Sequence, residues 1–354
     1  MQPSNKQTNK YQHCLVMAGG GFHFGYYLGI YAALCELGKK PDVILASCGG
    51  AIAAAIVQAL PNDAERKAWL CSPQMYAFWR GLKSKQNARM THAFAGAMKR
   101  RFLGHNAKYI PDLFNDYLFE IPAQLPLPPR APNTQHIDVA IVAGKLLYGE
   151  NEVGQLRNSR KLFSEILFCD ERAAVLVDNL QAPLSASQFG NTAVAAQLLT
   201  DVTMPISDAV RASIADMYYF RCHSHASGNA VNNYVGGVID LFPIEVASQL
   251  AENVTMELKG FYDKTYGLPA VRTVLGFDGN QRLSYVLQQH ADAWVNTADM
   301  ERYFFKQRIR QKLIWHKNKI DIVAPPTFDA YLKVIEAQWN YGYQRAGGAQ
   351  KAEL

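Results

Sequence analysis

The chain has 354 residues, 49% hydrophobic and 19% charged, with a formal net charge of +6. That length buries a full core, and that balance excludes a disordered chain. Six scattered cysteines (Cys14, Cys35, Cys48, Cys71, Cys169, Cys222) form no CxxC pair, which argues against a disulfide framework or a structural zinc site.

Residues Met1 to Lys10 are polar and lysine-bearing, without the apolar stretch of a secretory signal. Ile44 to Leu60 is the most apolar run, but Ser47, Cys48, Gly49 and Gly50 interrupt it, so a strand and a helix explain it better than a membrane span. The expectation is a cytoplasmic protein, peripheral to a membrane at most.

His13 to Ala18 reads as a strand that enters the run Gly19-Gly20-Gly21, followed by a helix from Gly25 to Leu37 that stops at Gly38. Asp42 to Ser47 is a second strand, running into a small-residue helix from Gly49 to Leu60. Two strand–glycine–helix units in succession predict a parallel sheet. The junction Leu45-Ala46-Ser47-Cys48-Gly49-Gly50-Ala51 has the pattern of a nucleophile elbow, with cysteine at the apex where a serine hydrolase carries serine. A helix N-terminus at that apex favours an anion.

From Arg66 to Lys108 there are ten basic residues and no acidic one, which leaves the remainder with 26 basic against 30 acidic. Trp69, Tyr76, Phe78, Trp79, Phe94 and Phe102 are interleaved with them, the mixture of an interfacial face or a lid over an anionic ligand. A solvated helical face whose aromatics turn to the core fits equally well. Residues 62–118 have a helical pattern, and Ile121 to Pro132 is a proline-rich connector that no helix crosses.

Ile137 to Gly144 is apolar throughout after Asp138, as in a buried strand. Leu162 to Val177 is strand or helix. Helices are expected at 188–200 and 206–215, a short strand at Tyr218 to Cys222, and another strand end over Asn233 to Ile239, which contains Gly236-Gly237. The last hundred residues read as helical up to a late strand, Lys319 to Pro326, and a terminal helix, Phe328 to Tyr343. Glu301 to Lys319 carries seven basic residues and one acid, which suits a membrane contact or a solvated helix.

Four segments, taken in order, resemble the patatin-like phospholipase family. Gly19-Gly20-Gly21-Phe22-His23-Phe24-Gly25 is similar to its GGGxRG oxyanion loop, and Ala46-Ser47-Cys48-Gly49-Gly50-Ala51 to its GTSAGA elbow. The stretch Asp208 to Ala215, continued through Tyr219-Phe220, is similar to its ASxAaPxyF segment. Val235-Gly236-Gly237-Val238-Ile239-Asp240-Leu241-Phe242-Pro243 is similar to its DGGxxxNxP segment. The resemblance implies a three-layer α/β/α sandwich with a mostly parallel sheet. It reads as one domain over 1–354, with a sheet core at 13–60 and 133–326, a basic helical excursion at 61–132 and a C-terminal helix at 327–345. It also implies acyl-ester hydrolysis by a Ser–Asp dyad, with backbone N–H groups of the glycine loop holding the oxyanion.

Three family positions are altered here. The serine position holds Cys48, the aspartate position holds Val235 as a degenerate dyad position, and the loop's Arg-Gly is His23-Phe24, with a glycine displaced to Gly25. A thiol of ordinary pKa ~8.5 at a helix N-terminus can fall toward neutrality and supply its own thiolate, which would tolerate loss of the aspartate. The expected site is therefore Cys48 as nucleophile, His23 and His223 (or His225) as helpers, and Gly19, Gly20, Gly21 and Gly49 as the oxyanion hole. Asp216 and Asp240 are weaker candidates, because a shift of several residues carries a carboxylate beyond the ~3 Å reach of a dyad. Cys222, His223 and His225 have the dense spacing of metal donors but no fourth ligand, so no metal and no cofactor is assigned.

The function these readings predict is a lipid acyl hydrolase or acyltransferase working through a Cys48 acyl-thioester. Its substrates would be phospholipid, acyl-CoA or acyl carrier protein, with contact to an anionic membrane and none to nucleic acid. The alternative is an inactive pseudoenzyme that keeps the cleft and binds lipid or acyl groups.

Overall fold

The computed structural model describes residues 9–85, 88–103, 107–132, 137–228, 230–264, 266–305 and 309–348. Residues 1–8, and Lys306 and Arg308 of the second basic stretch, lie outside these. Nine strands form the central sheet: β1 (Tyr11–Ala18), β2 (Val43–Ser47), β3 (Asp138–Leu146), β4 (Phe163–Phe168), β5 (Leu199–Asp201), β6 (His223–Ser227), β7 (Ala230–Val235), β8 (Ala251–Leu258) and β9 (Ala293–Asn296). Their order is β9-β8-β1-β2-β3-β4-β5, and the neighbours from β9 through β3 are parallel. The β3–β4 pair is antiparallel.

Strand alternation explains the layers. Leu15 and Met17 of β1, Ile44 and Ala46 of β2, and Ile141 and Ala143 of β3 face one core, shared with the helices Gly25–Glu36 and Gly49–Ala59 and the terminal helix Phe328–Gly347. Their neighbours Cys14, Val16, Ala18, Val43, Leu45, Ala140 and Val142 face a second core, beneath Ile244–Leu250, Gly267–Leu275 and Gly279–Val286. Strands covered on both faces need apolar residues at every position, which is why these runs read as continuous hydrophobic stretches. The result is the α/β/α sandwich that the sequence implies.

Register aligns the strand ends. Ala18 lies beside Ser47, and Ser47 beside Val142, so the turns after β1 and β2 open on the same edge of the sheet. Past Ser47 the chain leaves the sheet, and β7 takes the edge of β3 this vacates, pairing Val235 with Gly144 and Tyr234 with Lys145. The glycine turn, the elbow and the Gly236-Gly237 pair thus meet at the carboxyl ends of the central strands, where open α/β sheets place their sites.

The first and terminal helices pack backbone to backbone. A Cβ on Gly29 would lie 2.1 Å from the Trp339 carbonyl oxygen, and one on Gly342 1.8 Å from that of Tyr26, so neither position admits a side chain. Gln338 Oε1 accepts the Gly25 N–H at 3.2 Å, satisfying a donor that the start of a helix leaves without a partner.

Several expected elements differ. Residues 188–200 are not a helix: Gly190 breaks the chain at φ 79, and the stretch beyond it runs extended beside β4, with Val194 bridging Phe163. Tyr218–Cys222 is turn and irregular chain, because Tyr218 has φ 65, and the strand begins at His223. The strands β8 and β9 interrupt what reads as a helical last third: β8 mixes buried Val254 and Met256 with Glu252, Asn253, Thr255 and Glu257, and β9 is four residues long, so neither shows a strand's apolar run. Leu162 to Val177 resolves into β4 followed by the helix Glu171–Val177.

The basic excursion holds the helices Asp63–Leu70, Pro73–Gly81 and Met90–Leu103. Its aromatics divide: Phe78 and Trp79 are buried, whereas Phe94 and Phe102 are exposed. Arg66 is drawn inward, its guanidinium over the Tyr31 ring and bonded to Asp63 and the Leu60 carbonyl. Among the described residues no helix is long and apolar enough to cross a membrane.

Candidate active site

Cys48 joins β2 to the elbow helix Gly49–Ala59 with φ 50 and ψ −125. A side-chain-bearing residue in that conformation costs about 1–3 kcal/mol and persists only where its surroundings impose it. They do so here. The Cys48 N–H donates to Ser213 Oγ at 2.9 Å, and that hydroxyl donates to the Val142 carbonyl at 2.7 Å, tying the elbow to β3. A Cβ on Gly50 would lie 2.2 Å from the Met17 carbonyl oxygen, so the elbow helix is seated directly on β1.

The thiol meets a carboxylate. Cys48 Sγ lies 3.0 Å from Asp216 Oδ2, across 168 residues of sequence. Asp216 follows the helix Ile206–Ser213 in a tight turn, its N–H bonded to the Ile214 carbonyl and its carbonyl accepting from Tyr219 and Phe220. It is pressed against the second glycine segment: a Cβ on Gly236 would lie 2.3 Å from Asp216 Oδ1. Position 235 holds no carboxylate. Val235 is buried against Gly144 in the apolar core, and Asp216 delivers the acid from the neighbouring segment.

Both groups of the pair are perturbed. Burial lifts the Asp216 carboxyl to about 7, the thiol's hydrogen bond only partly opposing it, and Oδ1 is buried without a donor among the described residues. Burial, and then Asp216, push the Cys48 thiol well above its ordinary value, against weaker pulls from the Gly49 N–H and from Lys259. A thiol that ionises by itself at the helix N-terminus is therefore not what this pocket makes: desolvation outweighs the helix end. The group in contact with the thiol is the Asp216 carboxyl.

The glycine turn faces this pair. Gly19, Gly20 and Gly21 have φ 91, 99 and 52, a left-handed run that side chains rarely adopt. A Cβ on Gly49 would lie 2.7 Å from the Gly21 carbonyl oxygen and 2.8 Å from its nitrogen, so the turn and the elbow are in backbone contact. The Gly19 N–H is spent on the Met17 and Ser47 carbonyls, which closes the turn. The N–H groups of Gly20 and Gly21 have no such backbone partner among the described residues. Behind them Tyr26 and Tyr27 donate to the buried Glu257 carboxylate, as does Thr297, and Lys259 lies 3.5 Å from it.

The structure brings Cys48, Gly20, Gly21 and Gly49 together, and gives the histidines other surroundings. His23 is buried with its ring stacked on Phe304 at 5.1 Å. His223 Nε2 contacts Asp208 at 3.1 Å, His225 Nδ1 lies 3.5 Å from the same oxygen, and burial lowers the His223 pKa. Asp240 is held in a buried ion pair with Arg282 at 2.8 Å, and Arg282 also binds Glu245 at 2.6 Å. Cys222 is buried in the second apolar core. Sequence reasoning underrated Asp216 and missed Ser213. Both stand in the third family-like segment, and the signal was the presence of a carboxylate there at all.

An α/β/α sandwich that carries a strained residue at a strand-to-helix elbow, a carboxylate on its side chain and a glycine turn opposite defines a class of nucleophile-elbow proteins. A family model of patatin-like phospholipases matches residues 15–248, and the chain belongs to that family, whose type is lipid hydrolysis. Among solved structures, VipD from Legionella pneumophila aligns over 97% of this chain and 68% of its own, at 11% identity and a TM-score of 0.37. No curated protein matches the chain.

Proposed function

We propose that the protein is a lipid acyl hydrolase or acyltransferase that works through a Cys48–Asp216 dyad and an acyl-thioester on Cys48. The 3.0 Å contact between Sγ and Oδ2 at a strained elbow carries the reading. Asp216 takes the thiol proton as sulfur attacks the acyl carbonyl carbon, and the carbonyl electrons move to an oxygen held by the Gly20 and Gly21 N–H groups. Collapse breaks the bond to the leaving alkoxide or thiolate, which receives the proton back from Asp216. Water or an acceptor hydroxyl then attacks the thioester, with Asp216 again taking the proton; collapse breaks the C–S bond, the acyl product leaves, and the Cys48 sulfur takes the proton back from Asp216. A carboxyl with a pKa near 7 suits both directions of transfer at neutral pH, and each oxyanion donor of this kind is worth about 10²–10³ in rate.

The substrates this chemistry fits are phospholipid esters, acyl-CoA and acyl carrier protein. The exposed Phe94 and Phe102 on the basic helix Met90–Leu103 would meet an anionic lipid surface at the periphery. Intact-mass analysis after incubation with acyl-CoA or phospholipid vesicles tests the proposal. An acyl adduct that maps to Cys48 and is absent from Cys48→Ala supports it. No adduct and no turnover, with Cys48→Ala indistinguishable from the parent, overturns it.

One observation favours a second reading, a pseudoenzyme that binds acyl groups without cleaving them: Cys48 is only 7% exposed and its thiol resists ionisation. Because Asp216 is already in contact, Cys48→Ser alone separates the two. Esterase activity in that variant, absent from the parent, would mean that the machinery is intact and only its sulfur is idle.

A further inference from the structure

Away from the elbow, the hairpin of β6 and β7 carries a second cluster of donors. His223 and His225 are two residues apart on β6, so their side chains leave the same face of the strand. Asp208, in the first turn of the helix Ile206–Ser213, reaches both with one oxygen: Oδ1 is 3.1 Å from His223 Nε2 and 3.5 Å from His225 Nδ1. One ligand atom from each residue lies within 4.8 Å of the other two. Tetrahedral zinc, with metal–ligand bonds of about 2.0–2.1 Å, sets its ligand atoms ~3.3 Å apart, so both distances from Oδ1 already match the edges of such a site. The nearby Arg211 guanidinium is anchored on the Pro122 and Ala123 carbonyls.

We infer that Asp208, His223 and His225 form a binding site for one divalent transition-metal ion of the zinc class, with water in the fourth position. Two imidazoles and one carboxylate are nitrogen and oxygen donors of the kind zinc prefers, and they leave the coordination open. This corrects the donor set that spacing alone suggests, since Cys222 turns into the apolar core and Asp208 takes its place.

The position gives the ion a task. The helix that bears Asp208 runs on to Ser213 and Asp216, and the hairpin that bears the histidines runs on to Gly236 and Gly237. Asp216 is packed against Gly236, so an ion at Asp208, His223 and His225 would staple the two segments that fix the carboxylate beside Cys48.

Full-length protein stripped with a chelator and titrated with Zn²⁺ alone tests the site without any measure of catalysis, so it stands or falls apart from the acyl chemistry. One equivalent bound by the parent, with a rise in Tm that chelator reverses, is the expected result. His225→Ala, at a half-buried hairpin position, and Asp208→Asn should each weaken binding at least about tenfold, and Co²⁺ should give the visible absorption of a low-coordinate site in the parent alone. No stoichiometric binding by the parent overturns the inference. So does equal affinity in folded parent and variants, either result leaving Asp208 as a hydrogen-bond partner of His223 with His225 nearby.

Discussion

Two buried carboxylates near the carboxyl ends of the central strands have opposite company. Asp240 meets the Arg282 guanidinium at 2.8 Å, a cation it shares with Glu245. Asp216 meets only a thiol, and one of its oxygens has no donor among the described residues. In the proposed mechanism, Asp216 beside the thiol proton serves proton transfer at the expense of stability.

The sharpest way to break this contrast is Asp216→Asn. It removes the base but keeps the shape, and turnover on an acyl thioester or ester should fall about 10²–10⁴-fold while the circular dichroism spectrum is unchanged. Arg282→Met attacks the other carboxylate. With Asp240 left charged and unpaired, the urea midpoint should drop by the equivalent of about 3–5 kcal/mol, and activity should follow stability rather than pH.

The same Asp216→Asn variant should be more stable than the parent, and the sign follows from the raised pKa. Below about pH 4 the parent carboxyl is protonated both folded and unfolded, so the two proteins melt alike. Between there and about 7 the unfolded parent ionises first, and its folded state loses ground as pH rises. The variant should gain about 1–3 kcal/mol by pH 8 and little at pH 4, measured as paired thermal melts. Ser213→Ala is the mildest test. Loss of the hydroxyl that accepts the Cys48 N–H should cost about 1 kcal/mol, with a larger fractional effect on acylation than on global stability.

Much of the fold is local and was legible. Each of the first two units announces its strand by an apolar run and its turn by glycine, and those units lie as expected within one or two residues. The β8 and β9 strands were not legible, because β8 carries four polar residues among its eight and β9 is only four residues long, too little for periodicity to separate strand from helix. The site divides the same way. Cys48, its strained turn and the glycine loop are written contiguously, whereas the Cys48–Asp216 contact spans 168 residues and depends on how the segment after Ser213 folds under Gly236. Counting residues from position 235 measures distance along one strand and misses a carboxylate arriving from another. The same blindness hid Asp208 from His223 and His225, which it joins only through the packing of a helix on a hairpin.

The backbone contact between the first and terminal helices has a bearing on timing. Gly25 and the Gln338 side chain that satisfies its N–H are 313 residues apart. At about 5–20 residues per second, a ribosome needs roughly 15–60 seconds to make that interval. During those seconds the helix behind the glycine turn waits without its clamp, and the elbow beside it is unfinished. Order of synthesis therefore acts as a delay line: the thiol is made early, and the helix Phe328–Gly347 that clamps Gly25 is made long after it.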